Sequence, residues 1–162
     1  MKTRKIVIIA LFIALSFIGA NIKIMGTVAF DSMPGFLASL LIGPVYGAII
    51  GAMGHFLTAL TSGFPLSVPI HIIIMIAMAL TMFLFGAFYK TFKNRNIYVA
   101  IALSTLVAVV VNGPLTIFAI VPIAGKGMLA MIPVLSLVAL INIVVALLVY
   151  KFIPKKVVKL EK

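Results

Sequence analysis

A chain of 162 residues that is 65% hydrophobic and 9% charged, with a mean hydropathy of +1.38, has too little polar surface to coat a water-soluble fold and is read as an integral membrane protein. A bilayer-spanning helix takes about 20 apolar residues, so the length holds six or so spans in a single membrane domain, residues 1–162, and excludes a separate extramembrane domain. The net charge of +11 does not point to nucleic acid, because the basic residues cluster at the ends of apolar runs, where cytoplasmic flanks are expected; the absence of cysteine excludes thiol catalysis, thiolate metal sites and disulfides.

The first apolar run, 6–22, follows Lys2, Arg4 and Lys5. A basic start before an apolar stretch is also the form of a secretory signal, but Ile18 suits a cleavage site poorly, and the run is expected to remain as the first helix. The next break, "VAFDSMPGF", carries Asp31, one of two acids in the chain; the other is Glu161, next to the C-terminus. Asp31 precedes Pro34, so its carboxylate is expected to cap the second helix, and the same group has lone pairs left for ligand hydroxyls at the rim of a site.

The run 33–62 is interrupted by Gly43-Pro44. Proline removes a donor and clashes with the preceding turn, so the run divides into helices at 33–42 and 45–61. Charge requires the same division. Basic clusters at Lys2, Arg4 and Lys5, at Lys90, Lys93 and Arg95, and at Lys151, Lys155, Lys156, Lys159 and Lys162 lie on one side of the membrane only if an even number of crossings separates each pair. Three further helices follow, at 67–89, 97–119 and 129–151. The expected fold class is an all-α integral membrane protein with six transmembrane helices and both termini cytoplasmic.

On this map the hydrogen-bonding side chains gather at the outer end: Asn21, Asp31, His55, Thr58, Thr61, Ser62, His71 and Asn112. Asn142 lies deeper and is read as a helix-to-helix hydrogen bond. Polar residues in spans are functional candidates, and a few convergent polar groups in an apolar hollow are what a small-molecule site needs; the alternative is that each bonds across helices as packing glue. His55 and His71 are on different helices and lack the spacing of a zinc helix, so no metal site is expected. "TSGFP" offers a serine in a turn without an oriented base, so the chain is not expected to be an enzyme, and the apolar inner half excludes a channel lined by polar groups. Small residues at intervals of four, Ala10 with Ala14 and Gly43 with Gly47 and Gly51, allow close helix approach.

These residues are enough for a resemblance. The chain is similar to the substrate-binding S components of energy-coupling factor (ECF) vitamin transporters, in its length, six helices, inward termini and the Ala10/Ala14 pair. The run from Phe30 to His71, "FDSMPGFLASLLIGPVYGAIIGAMGHFLTALTSGFPLSVPIH", is most similar to the alpha-ribazole group, which salvages a cobalamin precursor. The resemblance implies an ECF S-component-like bundle in the bacterial cytoplasmic membrane that binds a vitamin or vitamin precursor and joins a T component and two ABC-type ATPases, with Ala10 and Ala14 as the docking site. ATP then belongs to the partners, since no "GxxxxGK" loop is present, and no cofactor is expected. The start "MKTRK" lacks the Met-His arrangement of the nickel and cobalt members. For a benzimidazole riboside, the polar half would meet Asn21, Asp31, His55, His71 and Asn112, with Thr58 and Ser62 beside them, and Phe30, Phe36 or Phe64 would stack on the ring. Cobalamin or pantothenate are the alternatives within the family; a membrane enzyme or a structural membrane protein are those outside it.

Overall fold

The computed structural model describes residues 2–21, 23–24 and 28–153. In chain order they form α1 (Lys2–Ala20), a short ribbon of β1 (Lys23–Ile24) and β2 (Val28–Ala29), α2 (Met33–Leu41), α3 (Pro44–Thr61), α4 (Val68–Phe92), α5 (Ile97–Val110), a π-helical turn (Val111–Leu115), α6 (Thr116–Ala124), a 3-10 turn (Lys126–Met131) and α7 (Ile132–Phe152). Proline stands in the first turn of α2, α3, α4 and α7, where its missing N–H leaves no helical bond unmade. Asn96 caps α5, its side chain accepting from the backbone N–H groups of Tyr98 and Val99 at 2.9 and 3.2 Å.

The Gly43-Pro44 break is a reversal. Gly43 has φ 123°, a conformation that a Cβ disfavours, and beyond it the chain returns so that Gly51 lies against Gly35 and Gly47 against Ser39. The two helices are therefore an antiparallel hairpin. The Ser39 hydroxyl, buried beside it, reaches the carbonyls of Gly35 at 3.0 Å and Met82 at 2.9 Å, tying α2 to α4.

Packing also fixes the sense of the other helices. Lys5 lies over the Tyr46 ring, 5.5 Å from its centroid, and Ser16 lies against Gly54, so α1 runs parallel to α3. The fourth helix doubles back, with Met82 against Gly51 and Gly86 against Pro44, and Tyr89 meets Tyr150 of α7 edge to face at 6.1 Å. Lys5, Lys90 and Lys151 thus share one end of the bundle, the arrangement that the charge pattern calls for. Lys155, Lys156, Lys159, Lys162 and Glu161 lie outside the described residues.

Four segments are long and apolar enough to cross a membrane, Pro44–Thr61, Val68–Phe92, Ile97–Ala124 and Lys126–Phe152, and Lys5–Ala20 is a shorter apolar helix. The second helix, nine residues, rises only about 13 Å. It is buried from Pro34 through Ile42, with Phe36 packed edge to face on Phe85 at 5.0 Å. It is a core element wrapped by the others, which is how a short helix can be kept from lipid.

Four local expectations are corrected. Ser32, not Asp31, holds the N-cap position of α2, without a side-chain cap bond. The connection after α1 contains a two-residue antiparallel pairing, Lys23 with Ala29 and Ile24 with Val28. The expected loop at 120–128 is mostly helix: α6 continues to Ala124 and ends at Gly125, φ 88°. Asn142 donates to Val138 O of its own helix at 2.9 Å, rather than to a neighbouring helix.

The α3–α4 connection places Gly63, Phe64 and Ser67 at φ 74°, 51° and 103°. Ser67 carries a Cβ where only glycine is unstrained. Ser67→Gly is expected to stabilise the protein by about 1 kcal/mol, raising the melting temperature by about 2–4 °C, as read by far-ultraviolet circular dichroism; a lower melting temperature would refute the strain.

Candidate functional site

At the end opposite Lys5, Lys90 and Lys151, a cavity of about 300 Å³ lies where α3, α4, the π turn, α6, the 3-10 turn and the start of α7 converge. Its polar lining residues are Asp31, Ser32, His55, Thr58, Ser62, His71, Asn112 and Thr116. Beside them stand aliphatic and thioether side chains: Ile74, Met78, Ile117, Ile120, Met128, Met131, Leu135 and Val138. Ala59 of α3 and Pro65 and Leu66 of the strained connection complete the lining. A second hollow, about 350 Å³ at the α4–α5 turn, is an open notch bordered by Phe92, Arg95, Asn96 and Val99, with no comparable convergence of polar groups.

Asp31 is 5% exposed. Thr58 Oγ1 donates to its Oδ2 at 2.8 Å and Ser32 Oγ to its Oδ1 at 3.1 Å. Thr58 stands one turn after Gly54, whose carbonyl its hydroxyl also approaches at 2.9 Å. Because Gly54 has no side chain, Ser16 of α1 and the Asp31 backbone come close to α3 at this level. Burial pushes the Asp31 carboxyl above the usual carboxylate range, opposed by its bonds from Thr58 and Ser32.

His55 and His71 approach across α3 and α4 with Nε2 and Nδ1 3.2 Å apart and rings stacked at 5.3 Å. A single proton shared between these nitrogens makes one ring the donor and the other the acceptor. His71 Nε2 is buried without a hydrogen-bond partner among the described residues. Phe64 supports the pair from behind, its ring 5.6 Å from that of His71 and tilted edge-on.

The placement of Asn112 and Thr116 depends on Pro114. Inside a helix it cannot donate, and the chain accommodates it with the π turn. Thr116 Oγ1 donates to Val111 O at 2.7 Å, and Gly113 lets Ser136 of α7 pack close. Asn112 and Thr116, on either side of Pro114, both line the cavity.

Six of the nine expected ligand residues, Asp31, His55, Thr58, Ser62, His71 and Asn112, thus lie on one cavity. Three do not line it. Asn21 is exposed and donates to Phe17 O at 2.9 Å; Phe30 is half-buried and its carbonyl packs on Gly19; Phe64 stands behind His71. Phe36, considered as a stacking ring, is in the core. Ala10 and Ala14 are exposed on α1. Sequence reasoning passed over Ser32, Thr116 and the methionines. The spacing of four between Asn112 and Thr116 was a signal for one of them; Met78, Met128 and Met131 offered none, because a methionine in an apolar run is indistinguishable from core.

A family model described as ECF transporter, substrate-specific component, matches residues 4–154. No curated protein and no solved structure matches the chain.

Proposed function

The chain belongs to the substrate-specific component family of ECF transporters, and on that premise we propose that the cavity at its polar end is the binding site for a vitamin or vitamin precursor, with alpha-ribazole the best candidate. The observation that carries this reading is the convergence of hydrogen-bonding and apolar side chains on one cavity of about 300 Å³, at the small end of the range for ligand pockets. A flat bicyclic ring joined to a pentose combines the same two kinds of surface, apolar and hydrogen-bonding. Cobalamin, many times larger than such a riboside, does not suit the volume. Pantothenate suits the volume better than the chemistry, because it is a carboxylate and no Lys or Arg is among the described lining residues.

In this reading the ribose hydroxyls meet Asp31, His55, His71 and Asn112. The ring lies among Met78, Met128 and Met131 rather than on phenylalanines; thioethers make favourable contacts with aromatic rings. The protein is a membrane-embedded binding subunit of the bacterial cytoplasmic membrane, with six crossings or part-crossings, the basic end and both termini in the cytoplasm, and the cavity facing outward. It supplies no catalysis. A T component docks on the exposed Ala10/Ala14 face of α1, and two ATPases bound to the T component hydrolyse the ATP that drives uptake.

Calorimetric titration of the purified protein in detergent with alpha-ribazole, cobalamin, pantothenate and riboflavin tests the proposal. Saturable binding of alpha-ribazole alone is the expected result. Binding of another vitamin would replace the substrate and keep the class, and folded protein that binds none of them would remove the binding role.

A further inference from the structure

The charges around the cavity are distributed unevenly. Among the described residues that line it there is no Lys or Arg, and Asp31 is the one acid. Lys5, Lys90 and Lys151 are at the opposite end, and Lys126, although in the same turn as Met128 and Met131, is exposed and does not line the space. The hydroxyls best placed to receive an anion are also committed elsewhere, since Thr58 and Ser32 both donate to Asp31. His55 and His71 face one another at 3.2 Å, too close for both to be charged, and an ordinary imidazole is mostly neutral at about pH 7.5. An anion entering here loses its water, finds no cation among the described lining residues in exchange and lies near a carboxylate. Both effects oppose it. A hydroxyl-rich neutral molecule finds acceptors: the remaining lone pairs of Asp31 and the side-chain carbonyl of Asn112.

Resting on the reading of this cavity as the substrate site, we infer that it selects uncharged or cationic molecules rich in hydroxyl donors and rejects carboxylates and phosphates, with Asp31 as the residue that sets this selectivity. Rejection here is built in as an unfavourable charge as well as a missing attraction. A riboside therefore enters without its phosphate, and vitamins that are carboxylic acids are excluded.

The test is competition binding to the full-length protein in detergent at about pH 7.5, using two pairs that differ chiefly in charge: alpha-ribazole with its 5′-phosphate, and pantothenol with pantothenate. The neutral member of whichever pair binds is expected to win by at least about 100-fold, and Asp31→Asn should reduce that preference by about 10-fold or more. Equal or tighter binding of the phosphate or of pantothenate overturns the selectivity while leaving the protein a vitamin-binding subunit. A preference unchanged in Asp31→Asn overturns the role of Asp31. Folded protein that binds neither pair overturns this inference and the alpha-ribazole proposal together. The wild-type comparison decides the selectivity even where the variant does not fold.

Discussion

Asp31→Asn is expected to weaken binding of the neutral ligand by about 10- to 100-fold, equivalent to about 1.5–3 kcal/mol, while leaving the fold intact. The amide keeps one carbonyl acceptor for one of the two hydroxyls at this position, Thr58 or Ser32, and its NH₂ can donate to the other once that hydroxyl rotates. The local network therefore survives. What is lost is the second anionic oxygen, and with it the strongest acceptor for a ligand hydroxyl. The pH dependence separates this effect from stability. Since burial raises the Asp31 carboxyl above its ordinary value, the folded state holds this proton more tightly than the unfolded chain. Its contribution therefore favours folding at low pH and declines as pH rises from the ordinary carboxylate value through the raised one. Asp31→Asn should abolish that decline. Melting curves across pH and titrations with alpha-ribazole check the two halves independently, and unchanged affinity would confine Asp31 to structure.

Gly47→Val is expected to destabilise the protein by about 3 kcal/mol and to abolish ligand binding. A Cβ at Gly47 falls on the Ser39 hydroxyl and lies 2.9 Å from Gly35 O. Neither can yield cheaply, because Ser39 reaches both Gly35 and Met82 and α2 is surrounded by the bundle. Forcing α2 from α3 shifts the entry to α2, where Asp31 and Ser32 reach the cavity. Gly127→Ala is the control: a Cβ there meets nothing within 4 Å, and a change within about 0.5 kcal/mol is expected. Equal effects of the two substitutions on thermal unfolding would refute the close packing at Gly47.

The elements most readable from sequence were those where charge and proline act together. Gly43-Pro44 is a break within an apolar run, and parity between Lys5 and Lys90 makes it a reversal. Polar residues were legible by depth, which brought Asp31, His55, Thr58, Ser62, His71 and Asn112 to one end; that all six border one cavity depended on helix rotation, which an almost uniformly apolar chain conceals. Asn21 and Phe30 share that depth and point elsewhere for the same reason. The carboxylate of Asp31 was assigned to a helix cap because capping is decided within a few residues. Its partner, Thr58, is 27 positions away, brought near by the hairpin and the close approach at Gly54. The expected end of a helix at 119 is the opposite case: the helix continues through Pro122 to Ala124.

Beneath the cavity floor at Met78, the fourth helix continues toward the basic end through Met82, Phe85 and Tyr89, all buried, and Phe36 closes against Phe85. That plug has an electrical consequence. A subunit left in the membrane without its energising partners offers hydrated ions no polar route past these side chains, so its synthesis in excess should not dissipate the proton or sodium gradient. Planar-bilayer recordings of the isolated protein should show no conductance above background, whereas steady current would mean that the plug is not continuous.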